Sequence, residues 1–142
     1  MIKLRKATYD DCNILFEWAN DPSVRANSFN TKAIEIDDHR NWLKNKLIDK
    51  NTALFIVTYN NDNVGTIRLD KDGEELIISY SIDKNYRGRG LGTKVLDAIK
   101  KEMQELTLVG FVKKENIPSI KAFEKAGYIR FDEENQIKFI SK

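Results

Sequence analysis

The chain has 142 residues, 41% of them hydrophobic and 32% charged, with a formal net charge of +2. That length suits one domain spanning residues 1–142 with a core of its own. The small charge argues against a nucleic-acid partner, which needs a strongly basic surface, and no apolar run approaches the length of a membrane span.

Residues 2–7 alternate apolar and polar and predict a first strand. Thr8 followed by Asp10 and Asp11 predicts a helix start, with acids where the helix dipole favours them. Ile14, Leu15 and Trp18 form that helix's buried stripe, and Asn20-Asp21-Pro22 ends it. Cys12, the only cysteine, lies beside this stripe and reads as a packed thiol. A lone cysteine fits a reducing cytoplasm, and no apolar export segment is visible at Met1. A loop carrying Arg25, Asn27, Ser28, Phe29 and Asn30 is expected next, then a helix over 37–48 with Trp42, Leu43 and Leu47 inward.

Residues 54–59 and 64–69 predict a hairpin around Asn60-Asn61-Asp62-Asn63, and Asp72-Gly73 turns the chain into a strand over 75–82. Leu91, Val95, Ile99 and Met103 recur every four residues, one face of a helix. Residues 107–111 predict a fifth strand, 119–126 a short helix with Gly127 at its left-handed end, and 128–131 with 136–140 a closing hairpin. A helix joins strands four and five, so those two should run parallel. The expected fold is an α/β sandwich with a mixed, mostly antiparallel sheet flanked by helices.

Between strand four and the central helix lies Arg87-Gly88-Arg89-Gly90-Leu91-Gly92-Thr93. Glycines let a backbone approach a ligand closely. The first turn of a helix offers unpaired N–H groups and positive dipole charge to a phosphate. Lys84, Arg87, Arg89 and Lys94 add charge of the right sign. A Walker A loop is excluded because Gly92 is followed by Thr93-Lys94 in the wrong order, and the dinucleotide fingerprint by the glycine spacing.

The Arg87 to Gly92 run resembles the Arg/Gln-x-x-Gly-x-Gly/Ala signature of the GNAT N-acetyltransferase superfamily. Residues 116–128, with Asn116, Ser119, Phe123, Gly127 and Tyr128, resemble the family's later Asn-x-x-(Ala/Ser)-x-x-x-(Tyr/Phe)-x-x-x-Gly-(Phe/Tyr) segment. The resemblance implies a GNAT fold with strands four and five splayed, and an enzyme using acetyl-CoA as co-substrate. It implies that the loop amides hold the pyrophosphate and that pantetheine pairs with strand four at Ser81 and Ile82. A main-chain N–H freed by a bulge near Tyr80 to Ile82 would then donate to the acetyl oxygen. Asn116 matches a cofactor-side position and is also a good helix N-cap; both roles stay open. Many relatives carry tyrosine at position 123, where its hydroxyl protonates the departing thiolate. Phe123 cannot do this but can pack against pantetheine; Tyr80, Ser79 and Tyr86 are nearby hydroxyl candidates and water is another, with Tyr80 first among them and cross-strand packing its competing role.

No general base stands out. Glu75, with Glu74, enters strand four and could take the amine proton. His39, the only histidine, precedes Trp42 by three residues on one helical face and either lines an acceptor cleft or packs. One histidine and one cysteine assemble no metal site. The stretches around Trp18 to Arg25, Asn27 to Asn30 and His39 to Trp42 are similar to acetyltransferases that modify the 4-amino group of a UDP-linked sugar on the way to pseudaminic-type acids. On that likeness Phe29 stacks on a base or sugar face and Arg25 meets the diphosphate. The same Trp-x-Asn-Asp-Pro stretch also occurs in relatives that acetylate ribosomal-protein N-termini. An inactive acetyl-CoA-binding module is the non-enzymatic alternative. A monomer or a homodimer fits equally.

Overall fold

The computed structural model describes residues 1–142. Seven strands form one sheet: β1 (Ile2–Lys6), β2 (Thr52–Tyr59), β3 (Asp62–Asp72), β4 (Glu75–Ile82), β5 (Thr107–Val112), β6 (Ile129–Asp132) and β7 (Ile137–Ile140). Their order is β1-β2-β3-β4-β5-β7-β6. Every neighbouring pair is antiparallel except β4 and β5, which run parallel as their helical connection requires. Five helices flank the sheet: α1 (Cys12–Ala19), α2 (Pro22–Asn27), α3 (Ile36–Ile48), α4 (Leu91–Glu102) and α5 (Ile117–Lys125).

Alternation along the strands gives the sheet two apolar faces. One packs beneath α4 and α5, with Ile67, Leu69, Val95, Ile99, Phe123 and Phe139 fully enclosed. The other packs beneath α1 and α3 through Leu15, Trp18, Leu43, Leu54 and Ile56, with Cys12 buried among them.

Three details differ from the sequence reading. The segment after α1, expected as loop, begins with the short helix α2. Pro22 occupies its first turn and the Asp21 carboxylate caps it, accepting from the Ser23 and Val24 amides at 2.9 and 3.4 Å. Second, the β2–β3 turn needs only Asn60 and Asn61, at φ 51° and 72°, so Asp62 and Asn63 join the ladder. Asparagine tolerates the left-handed region that such a two-residue hairpin requires. Third, β4 pairs with β3 without interruption from Glu75 to Ile82, so the bulge expected there is absent. The sheet's register shift lies instead between Val57 and Thr58 of β2.

Gly110 in β5 lies against the ring of Phe123. A Cβ at position 110 would stand 2.4 Å from Cζ of that ring. The ring cannot retreat, because it is stacked on Phe139 at 4.8 Å and met edge-on by Tyr128 at 5.0 Å. Gly110→Ala should therefore lower stability by about 1–3 kcal/mol through overpacking. Chemical denaturation measures this, and a loss within error of zero would contradict the fit described here.

Candidate active site

The β4–β5 ladder runs from Glu75–Thr107 to Ile78–Gly110 and stops. β4 continues to Ile82 against β3, while β5 continues to Val112 against β7. The two central strands therefore splay apart beyond Ile78. The Asp83 amide donates to the Val64 carbonyl at 2.7 Å. Antiparallel alternation then turns the main-chain groups of Ser79 and Ser81 toward β3 and those of Tyr80 and Ile82 toward the gap. Ser81, expected to supply main-chain pairing, has its N–H and C=O committed to β3, and only its side chain lines the cleft. The gap-facing positions are Tyr80 and Ile82, and the Ile82 carbonyl accepts from Arg87 Nε at 2.9 Å.

The gap opens into a cavity of about 1330 Å³. The residues singled out from the sequence line it except Glu74, Glu75, Lys84, Arg89 and Lys94. Glu75 is the first residue of β4, three residues before the splay point, or roughly 10 Å at a strand's rise. It pairs with Asp72 and Thr107 and faces no part of the cleft, so its expected role as base is withdrawn. The carboxylate that does line the cleft is Asp38, in the first turn of α3.

On the α4 side, Gly88 and Gly90 sit at φ 78° and 76°, and Gly90 caps α4. A side chain at either position would hold strained backbone. The approach to this loop is fixed from α1, since Trp18 Nε1 donates to Asp83 Oδ2 at 2.8 Å. Arg87, expected to meet phosphate, instead braces the loop: besides the Ile82 carbonyl, it pairs with Asp21 at 3.4 Å. Burial raises the Asp21 carboxyl, but its bonds to Ser23 and Val24 and the Arg87 charge outweigh this and hold it below its ordinary value. Arg89 stacks over Tyr86 at 5.2 Å. Asn116 caps α5 by accepting from the Ser119 amide at 3.4 Å while also lining the cleft. The Ser119 hydroxyl is 2.9 Å from that of Tyr80. Burial raises the Tyr80 phenol, so it stays protonated at neutral pH. Phe123 is 2% exposed and meets Tyr80 edge-on at 5.9 Å.

The other half of the cleft is walled by α1, α2, α3 and the 28–34 loop. Asn20 grips Ile34 through both main-chain groups, at 2.7 and 2.8 Å. Arg25 donates to the carbonyls of Ala19, Asn30 and Lys32 at 2.7, 3.1 and 3.1 Å and to Ser28 Oγ at 3.3 Å. It is a clamp holding this wall, not a free guanidinium awaiting a diphosphate. Phe29, 61% exposed, extends from the clamped loop. Trp42 lies between His39, stacked at 5.7 Å, and the guanidinium of Arg68 at 5.2 Å. Arg68 and Thr66 went unnoticed in the sequence. Their signal was the polar half of β3's alternation, which reads as an ordinary solvent face until α3 is seen beside it.

His39 is 3% exposed, and its Nε2 donates to the Cys12 carbonyl at 3.2 Å. Burial lowers its pKa, a shift the Cys12 bond opposes only in part. The folded protein therefore binds this proton less readily than the unfolded chain. Stability from this site is present above the ordinary histidine pKa of ~6.5 and lost as pH falls below it. Denaturation midpoints should drop between pH 7.5 and 5.5 by more in the native protein than in His39→Gln. Equal drops would contradict the burial argument.

Comparison with known proteins agrees with this geometry. The acetyltransferase (GNAT) domain family model matches residues 2–129. The acetyltransferase PseH of Campylobacter jejuni is 24% identical over 150 residues, covering 99% of this chain and 92% of that protein. The structure of AAC(6')-Ib in complex with ribostamycin and coenzyme A superposes with a TM-score of 0.84 at 20% identity, covering 98% and 91% of the two chains. The spermidine N-acetyltransferase of Vibrio cholerae, in complex with CoA and spermine, gives 0.85 at 15% identity over 98% and 93%. RimL, a ribosomal L7/L12 alpha-N-protein acetyltransferase, gives 0.83 at 10% identity over 98% and 92%. The family match spans most of the chain and coincides with the splayed strands and the glycine-capped helix, so the chain belongs to the GNAT acetyltransferases, N-acetyltransferase enzymes with acetyl-CoA as co-substrate.

Proposed function

We propose that this enzyme transfers the acetyl group of acetyl-CoA to a primary amine of a nucleotide-linked amino sugar, directly and within a ternary complex. The observation that carries the reading is the splay beyond Ile78–Gly110, flanked by a glycine-capped helix on one side and a polar, aromatic-lined pocket on the other. The amides at the start of α4, with Gly88 and Gly90, take the pyrophosphate. Pantetheine then lies in the gap and satisfies the main-chain groups of Tyr80 and the Ile82 N–H that β5 leaves unpaired, the Ile82 carbonyl being held by Arg87. The sugar acceptor is supported by the near full-length likeness to PseH and by hydrogen-bonding side chains at Asn27, Ser79 and Ser81 along the acceptor wall.

The chemistry follows from these positions. The amine nitrogen, in its neutral form, attacks the thioester carbon from the α1–α3 side. Negative charge collects on the acetyl oxygen, and a preorganised backbone N–H facing the gap stabilises it, an interaction worth ~3 kcal/mol of barrier. The N–C bond forms, the C–S bond breaks, and the thiolate takes a proton. With phenylalanine at 123, the Tyr80–Ser119 hydroxyl pair supplies that proton. The amine's proton leaves to water in the open cleft.

The likeness in fold to RimL keeps protein N-termini as the second reading. Assaying acetyl-CoA with a UDP-linked amino sugar and, separately, with an N-terminal peptide decides between them. Turnover of the sugar is expected, and turnover of the peptide alone would overturn the sugar reading. Binding of acetyl-CoA with no transfer to any amine would mark an inactive binding module. In the productive assay Tyr80→Phe should lower kcat at least tenfold, as loss of an acid catalyst does, with little change in KM for acetyl-CoA. An unchanged kcat would remove Tyr80 from the mechanism.

A further inference from the structure

We propose that Arg68 is the anion-binding residue of the acceptor half of the cleft, and that it takes the diphosphate of the acceptor. This rests on the nucleotide-sugar reading and adds to it the side chain that recognises the charged part of the acceptor. Five cationic residues line the cavity: Arg25, Arg68, Arg87, Lys121 and Lys125. Arg25 is spent on four oxygens of its own wall, and Arg87 on Asp21 and the Ile82 carbonyl. Lys121 and Lys125 belong to α5, which packs on the opposite face of the sheet. Arg68 is the cation that remains on the acceptor side.

Its donors are only partly used. Nε meets Asp70 Oδ2 at 2.7 Å and one terminal nitrogen meets Ser79 Oγ at 3.3 Å, while the other terminal nitrogen has no protein partner. No buried side-chain nitrogen in the molecule lacks a partner, so the unpaired terminal nitrogen is open to solvent, on a side chain that lines the cleft. The side chain is 28% exposed. A guanidinium presenting unused donors in one plane suits the paired oxygens of a phosphate.

The group is also held in place before any ligand arrives. Asp70 is itself fixed by Lys46 Nζ at 3.0 Å and Thr52 Oγ1 at 2.9 Å, and the guanidinium lies over Trp42. Burial raises the Asp70 carboxyl, but Arg68, Lys46 and Thr52 outweigh it and keep the group ionised. Two cations therefore share one carboxylate and leave a net positive charge. Arg68 stands directly across from Ser79, next to the gap-facing Tyr80. An anion bound there places the rest of a small acceptor within reach of the thioester.

The test compares native protein, Arg68→Gln and Arg68→Lys with a UDP-linked amino sugar and with the phosphate-free methyl glycoside of the same amino sugar. CoA affinity by calorimetry verifies that each variant is folded. Arg68→Gln should raise KM for the UDP-linked acceptor at least tenfold more than for the glycoside. Arg68→Lys should recover only part, because an ammonium lacks the planar fork. UDP alone, titrated into CoA-loaded protein, should bind at least tenfold more weakly to Arg68→Gln. Equal losses for the two acceptors, or unchanged UDP affinity, would overturn the assignment. If the native protein acetylates neither sugar, the sugar reading fails by itself, and the UDP titration still decides whether Arg68 is the anion site. A peptide rich in acidic residues that competes through Arg68 where UDP does not would reassign the site to a protein acceptor.

Discussion

A sheet normally pairs every strand in its interior, and here the two central strands part company after four residue pairs. That creates a problem that only another molecule solves well: Arg87 takes the Ile82 carbonyl, but the Ile82 N–H and both main-chain groups of Tyr80 are aimed into a gap in the middle of the protein. Exposed edges are usually blunted or covered. This one is kept open from both sides. β5 is drawn toward β7, and the Phe123 ring is seated against Gly110, where no larger residue fits. β4 is held to β3 along its full length. The gap is therefore a product of packing on either side of it.

The surrounding groups make sense as supports for that gap. Trp18 holds Asp83, and Arg87 ties the glycine loop to the cap of α2, so the α1–α3 wall of the cleft and the glycine loop are joined by one ion pair. Arg25 and Asn20 fasten the 28–34 loop onto α1 and α2. These charges look available in the sequence and are committed in the fold. Arg68 shows the converse, a residue that reads as surface and stands in the pocket.

Much of the architecture was legible because its signals are local. The apolar period of α4, the left-handed Gly127, the parallel crossover and the glycine loop depend on neighbours in sequence, and all appear as expected. What escaped depended on partners far along the chain. Whether Arg25 is free is decided by carbonyls at 19, 30 and 32, and whether Glu75 reaches the cleft by where β4 and β5 separate. The source of the gap-facing amides was misjudged for the same reason. A bulge is a feature of one strand pair, whereas this opening comes from four strands and a buried ring. The α2 helix is the exception, since Asp21-Pro22 also carries a local helix-start signal that was read only as a stop.

The central claim is that the cofactor completes the sheet at Tyr80 and Ile82. Amide hydrogen exchange, followed residue by residue with and without saturating acetyl-CoA, addresses it directly. The account predicts marked slowing at Tyr80 and Ile82 together with the first turn of α4, and little change at Ser79 and Ser81, whose amides already bond to β3. Saturated protein in which Tyr80 and Ile82 exchange as fast as in the free enzyme would contradict it.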